Sequence, residues 1–320
     1  MTRATKNVFT VPLVLLFAAA GTLPLGGQDA APAAAPKGIA LSGSVKKPQA
    51  VDAAALARLP RHAALAKVPG TARYRGTFAT EGVSLKELLK SAEVAKATND
   101  NFDRPLDLAV VVTGRDGTKA LFSWGELFLL GDEGAALLVD RMRPLVPHHH
   151  EAIDDARFAP GAWFGVEARE KLDVSACAGC HDGGKLGKID LPRGVCLVPT
   201  RDATGRRFVE DVVSIEVRQA GFPAPPRKRD LKDPWVEAPA LLLPDGTSTP
   251  LTAAALKGVA RAGGADDGIG LGRGFHGHRA FEGASLAALL KSKLRAGTDP
   301  GLLFVVVTAS DGYRSLYSGG

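Results

Sequence analysis

Two stretches decide how this chain folds: "VVVTGRDGTKALFSWGE" at Val110–Glu126 and "VVVTASDGYRSLYSGG" at Val305–Gly320. In each, an apolar β-rich run (Leu108–Thr113, Leu302–Thr308) meets an Asp-Gly pair (Asp116–Gly117, Asp311–Gly312). A second short run follows (Lys119–Phe122, Arg314–Tyr317). Asp-Gly between two such runs is the strongest short signal for a tight hairpin, because glycine accepts the positive φ the turn needs. Two antiparallel hairpins of like sequence are therefore expected.

Working outward, the flanks match as well. "VDAAALARL" at Val51–Leu59 pairs with "LTAAALKGV" at Leu251–Val259, and "GVSLKELLKS" at Gly82–Ser91 with "GASLAALLKS" at Gly283–Ser292. Ser84 and Ser285 stand where an N-cap belongs, ahead of leucine pairs at helical spacing, so each predicts a short helix. Three matches in one order read as a tandem duplication. Each copy is expected to be an α+β unit with a mixed or antiparallel sheet. The second copy is expected to be incomplete: it ends where the first reaches Glu126, whereas the first runs on to a closing strand near Asp211–Val217. The chain thus reads as a fragment or a truncated reading frame.

Composition places the copies in a larger plan. Arg3 and Lys6 precede the apolar run "VFTVPLVLLFAAA" at Val8–Ala20, followed by small residues. That is the layout of a secretory leader, expected over 1–27 with cleavage between Ala20 and Ala31. The run is broken by Pro12 and is shorter than the ~20 residues of a membrane span. The mature protein is therefore expected in the periplasm or another extracytoplasmic space, with membrane contact only through export or loose tethering. An Ala/Pro-rich linker covers 28–40, and five prolines in Gly221–Pro239 mark a second linker, 220–239. The units fall at 41–219 and 240–320. The formal charge of +6 drops to +4 without Arg3 and Lys6. No basic stripe interleaved with aromatics accompanies it, so nucleic acid is not an expected partner.

The order "SGSV…P…AAAL", "GVSLKELL", "VVVTGRDGTKALFSWGEL", then "LVPTRDATGRRFVEDVVSIEV" resembles the sulfite-oxidase-type molybdopterin-binding domain, above all its small exported versions. The resemblance implies a scaffold of two such units, the second truncated. It also implies a molybdenum-holding cysteine early in the fold, and no cysteine precedes Cys177 here. Cys196, in "RGVCLVPTRD", matches the late strand and reads as a buried small hydrophobe. Molybdopterin is accordingly not expected. The resemblance further implies a direct passage to the late strand, whereas this chain inserts about residues 143–192.

That insertion carries "SACAGCHDGGK" at Ser175–Lys185. Cys-x-x-Cys-His is the attachment signature of c-type haem: two thiols bond the vinyl groups and the following imidazole takes the iron. Cys177 and Cys180 are the expected thioether anchors of one covalent haem c, with His181 as proximal iron ligand. For the opposite face of the iron the candidates are His148, His149 and His150, then Met142. Three other readings of the pair stay open: a Cys177–Cys180 disulfide in an oxidising compartment, a zinc site borrowing the triple histidine, and a thioredoxin-like motif. His276 and His278 read as surface residues, and Glu167–Glu170 as a solvated face. Trp163 and Phe164 fit equally a haem face and a core.

The function expected is electron transfer with a redox partner protein, on a scaffold without molybdenum. Two alternatives remain: a cofactor-free exported binding module and a molybdopterin-dependent oxidoreductase served by Cys196. No G-x-S-x-G, H-E-x-x-H or P-loop pattern points to a hydrolase or a nucleotide-binding enzyme.

Overall fold

The computed structural model describes residues 14–19, 38–68, 76–96, 102–130, 134–145, 163–171, 191–202, 205–219, 239–243, 246–270, 274–294, 298–309 and 313–319. In chain order the strands are β1 (Val14–Ala19), β2 (Ile39–Gly43), β3 (Gln49–Val51), β4 (Arg61–Val68), β5 (Gly76–Ser84) and β6 (Leu108–Gly114). Next come β7 (Lys119–Ser123), β8 (Ala136–Pro144), β9 (Phe164–Gly165), β10 (Cys196–Pro199), β11 (Val212–Gln219) and β12 (Ala240–Leu242). The last are β13 (Ser248–Pro250), β14 (Arg261–Gly270), β15 (Gly274–Ala284), β16 (Leu303–Thr308) and β17 (Arg314–Ser318). The helices are short: α1 (Ala53–Ala57), α2 (Leu85–Ala92), α3 (Trp124–Phe128), α4 (Val166–Lys171) and α5 (Leu286–Lys293). This is a sheet-rich α+β protein, the class expected.

The first hairpin forms as its residues dictate. β6 pairs antiparallel with β7, Val110 facing Phe122 and Val112 facing Ala120. Between them Gly117 takes φ +84°, and the Asp116 carboxylate accepts bonds from the Thr118 N–H and hydroxyl, each at 2.8 Å. Those bonds also hold the Asp116 carboxyl below its usual range. In the C-terminal part β16 pairs with β17 in the same sense, Val305 facing Tyr317 and Val307 facing Ser315.

Each hairpin lies at one end of a five-stranded mixed sheet. The N-terminal sheet has the order β3-β2-β11-β6-β7, with β11 parallel to β2 and antiparallel to β6. The C-terminal sheet has the order β13-β12-β1-β16-β17, with β1 parallel to β12 and antiparallel to β16. The closing strand expected near Asp211–Val217 is β11, and it lies in the middle of its sheet rather than at an edge. The apolar run of the leader-like segment contributes β1. No helix among the described residues is long and apolar enough to cross a membrane.

An unbroken apolar strand means burial on both faces, and β6 shows why. One face, Val110 and Val112 with Phe122 of β7, packs with α2 leucines Leu85, Leu88 and Leu89 in the largest core cluster. The opposite face, Ala109 and Val111 with Leu121, packs against Phe304, Val306 and Leu316 of the C-terminal hairpin. The two sheets thus meet through their matching hairpins. Polar ties seal the contact. Asp107 is fully buried; Lys96 Nζ lies 2.8 Å from its Oδ1, and Arg314 Nε 3.4 Å from its Oδ2. The Ser318 hydroxyl donates to Glu126 at 2.6 Å.

The surrounding hairpins differ. β4 and β5 belong to an antiparallel sheet of order β10-β8-β5-β4, with β9 also on β8. Beneath it lies a second cluster, including Phe78, Leu137, Met142, Phe164 and Cys196. Among the described residues β14 and β15 pair only with each other, and Phe281 on β15 is 56% exposed.

Both expected N-caps precede their helices, with one difference. The Ser285 hydroxyl accepts the Ala288 N–H at 3.3 Å. The Ser84 side chain makes no such bond; its hydroxyl is buried and without a partner among the described residues.

Candidate functional site

Cys177, Cys180, His181, His148, His149 and His150 lie outside the described residues. The structure describes the chain on either side of the stretch that carries them. One end leaves β8, and the chain returns at β9, where Gly165 pairs with Arg141 and Phe164 with Met142. Phe164 is buried in the second cluster, a core role, while Trp163 is 38% exposed, with the Arg143 guanidinium 5.6 Å from its ring centroid. α4 follows and runs to Lys171, and the chain is described again from Leu191 into β10.

Arg169 on α4 bridges these ends. It is 3% exposed, and its Nη2 donates to the Gly194 carbonyl at 2.5 Å. Its Nε and Nη1 are buried with no partner among the described residues. Glu167 and Glu170 are exposed, the solvated role expected of these acidic residues, while Arg169 between them turns inward. Gly194 has φ +59°, and a β-carbon there would come within 2.7 Å of Asp211 Oδ1, so glycine is required twice over. Asp211, itself at φ 45°, is held by Arg115 Nε at 2.6 Å. That bond, with a smaller contribution from Glu170, raises the Arg115 pKa.

Beside α4 and Gly194 is a cleft of about 310 Å³. Asp52, Asp140, Glu167, Glu170 and Asp211 line it together with Arg115. Three of these carboxylates are already engaged: Asp52 caps α1 at the Ala55 N–H (2.8 Å), Asp140 accepts from Arg61 Nη1 (2.8 Å), and Asp211 accepts from Arg115. The Asp140 hydrogen bond is the main cause of the raised Arg61 pKa. The cleft is thus acidic, with two of its five carboxylates, Asp140 and Asp211, paired to arginines. Among the described residues no group of three or more His, Cys, Asp or Glu is arranged to hold a metal ion.

Met142 is fully buried on β8, opposite Thr80 and Phe164, and packs in the second cluster. Its thioether is embedded as a core side chain. Cys196 is fully buried on β10, as expected, opposite Val139. Its thiol donates to the Arg193 carbonyl at 3.2 Å. Burial pushes the thiol up to about 11, and the nearby Arg169 charge opposes this without overcoming it. His278 is exposed and pairs with Asp267 across β14 and β15, the surface role expected. His276 lies on β15.

Sequence reasoning missed the cleft because its residues come from distant segments that only the fold assembles. It also missed Arg207, which is buried at 3% exposure. Arg207 donates to Asp202 Oδ2 (2.9 Å), to Glu126 (2.7 Å) and to the Leu121 carbonyl (3.1 Å), and stacks 4.3 Å from the Phe122 ring centroid. With every direction of its fork engaged, it is a structural clamp.

No protein-family model matches the chain, and no curated protein matches it. Among solved structures it is similar to the crystal structure of the sulfane dehydrogenase SoxCD from Paracoccus pantotrophus, with 12% identity and a TM-score of 0.32. That match covers 88% of this chain and 77% of the other.

Proposed function

We propose that this chain is an exported electron-transfer protein with one covalent c-type haem. Its scaffold is read as two copies of a molybdopterin-binding-like unit, 41–219 and 240–320, joined by the Pro-rich 220–239 linker. The haem lies in the insertion at about 143–192, and residues 1–27 direct export to the periplasm or an equivalent space. The observation that carries the reading is the Cys177-Ala178-Gly179-Cys180-His181 signature. The donor set suits the group: two thiols one helical turn apart and an adjacent imidazole.

Bound there, the haem would supply one-electron chemistry at iron. The chain's own residues do the rest. Cys177 and Cys180 would anchor the haem and His181 would hold its iron, with His148, His149 or His150 as the candidate second ligand; Met142, the remaining candidate, would first have to leave the second core cluster. Arg169, donating to Gly194, ties α4 to the chain just beyond the stretch that carries Cys177–His181. The partner is a second redox protein.

Molybdenum does not suit the cysteine the scaffold offers. A molybdenum ligand is a thiolate, whereas the Cys196 thiol is sealed in the core, bonded to a backbone carbonyl and pushed up to about 11. Support for two copies comes from the matching strand orders and from the meeting of matching hairpins. Ala109, Val111 and Leu121 pack on Phe304, Val306 and Leu316, the residues 195 positions later in each case.

The test is a visible spectrum and metal analysis of protein made with a haem-attachment system, alongside a Cys177→Ala/Cys180→Ala variant. A reduced c-type α-band with one iron per chain, lost in the variant, is the expected result. Neither iron nor molybdenum would leave a cofactor-free binding module, and molybdenum with pterin would establish the oxidoreductase alternative.

A further inference from the structure

The two hairpins of like sequence meet reciprocally. Ala109, Val111 and Leu121 share a buried cluster with Phe304, Val306 and Leu316, and the two sets correspond one to one at a constant separation of 195 positions. β7 lies against β17, its own counterpart. β7 also meets the helical turn Pro300–Leu302, and β17 meets the turn Pro105–Asp107, again 195 positions earlier. A contact repeated with the two sides exchanged is the mark of an isologous interface, the kind that joins identical subunits about a two-fold axis. Here both sides belong to one chain.

The charges extend this symmetry on one side only. Asp107, in the first turn, is buried and lies 3.4 Å from Arg314 Nε on β17. The residue at the place of Arg314 in the first hairpin is Lys119, also a cation. Each faces a threonine across its hairpin, Thr113 for Lys119 and Thr308 for Arg314. The β6–β7 face therefore carries both members of the pair, an anion in the turn and a cation on the strand. The β16–β17 face carries only the cation, since Leu302 stands at the place of Asp107. Two copies of the first face about a two-fold axis would set Asp107 of each against Lys119 of the other, around an apolar centre of Ala109, Val111 and Leu121.

We propose that the β6–β7 face is a self-complementary docking surface whose ligand is the same face of a second copy of this chain. The C-terminal hairpin occupies it in the place of that second subunit. In the intact chain the attached hairpin wins, because its contact is intramolecular. It also adds the edge-to-face contact of Tyr313 with Phe102, at 5.2 Å between ring centroids, where the first hairpin has only Thr118 to offer. A second copy gains the face when the hairpin is displaced. The inference rests on the two-copy reading of the scaffold and not on the haem: a visible spectrum decides the haem, and the state of association decides this face.

Sedimentation velocity on the full-length chain tests it. Val306→Asp with Leu316→Asp drives the hairpin off the face and leaves Ala109, Val111 and Leu121 in place. The expected result is a monomeric parent chain and a concentration-dependent dimer of the variant. Adding Lys119→Glu sets like charges together across the two-fold axis and should weaken that dimer by about tenfold or more. Adding Val111→Asp instead should abolish it. A variant that stays monomeric, or a dimer indifferent to both additions, overturns the proposal. Because two aspartates in a buried cluster could unfold the C-terminal sheet, Arg314→Glu gives an independent reading. It sets a like charge against Asp107 and alters no apolar residue. It is expected to raise the dimeric fraction by about tenfold at equal concentration, and Lys119→Glu to suppress that rise. An Arg314→Glu chain as monomeric as the parent overturns the proposal whatever the aspartate variant does.

Discussion

The two five-stranded sheets share a strand order and differ in what surrounds them. The N-terminal sheet shares its core cluster with α1, α2 and α3, from Ile39 through Leu88 to Val217. The buried residues of the corresponding C-terminal cluster are Leu241, Leu251, Leu289 and Val305. The hairpins beside them diverge in the same way: β5 is covered along its edge by β8, while β15 pairs only with β14. The lesson is that equal local signals make equal local elements, but the burial of those elements depends on which strands arrive to cover them.

Five substitutions probe that contrast, beginning with the joint between the two hairpins. Asp107 is the buried counter-charge for Lys96 and Arg314, whose side chains are 7% and 3% exposed. Asp107→Asn removes the negative charge that faces both cations, a change that costs about 3–5 kcal/mol. Thermal unfolding should show a large fall in midpoint; an unchanged midpoint would mean that the sheets do not depend on this joint. Next, Leu88→Ala removes a leucine from the large cluster and should cost about 2–5 kcal/mol in urea unfolding. Leu289→Ala, at the matching place in α5, should cost less than half as much because fewer neighbours lose contact. Equal costs would contradict the contrast. The smallest effect reverses the direction. Ser285→Ala removes a working cap and should cost about 1 kcal/mol, while Ser84→Ala, which breaks no cap bond, should cost close to nothing.

Much of the local plan was legible. The Asp116–Gly117 turn, both hairpins, the helices after Ser84 and Ser285, and a buried Cys196 strand all follow from short-range chemistry. What was not legible shares one trait. The central place of β11, the inward turn of Arg169 within "EAREK", and the cleft joining Asp52, Asp140 and Glu170 each depend on residues far apart in the chain. Arg169 shows the limit most sharply. Its neighbours make it look like part of a solvated charged face, and only the Gly194 carbonyl arriving from beyond the insertion gives it a reason to turn in.

By itself, then, the sequence determined the pieces: two hairpins, the first turning at Asp116–Gly117 while Asp311–Gly312 lies outside the described residues, two short helices, an apolar leader-like run and a Cys-x-x-Cys-His motif. Those depend on turn geometry, capping and side-chain periodicity, which act over a few residues. Only the tertiary structure decided that β11 and β1 take the central places of their sheets and that the two hairpins of like sequence pack face to face. A strand's backbone edges are satisfied by whichever segment reaches them, and that choice is made by the whole fold, not by the strand.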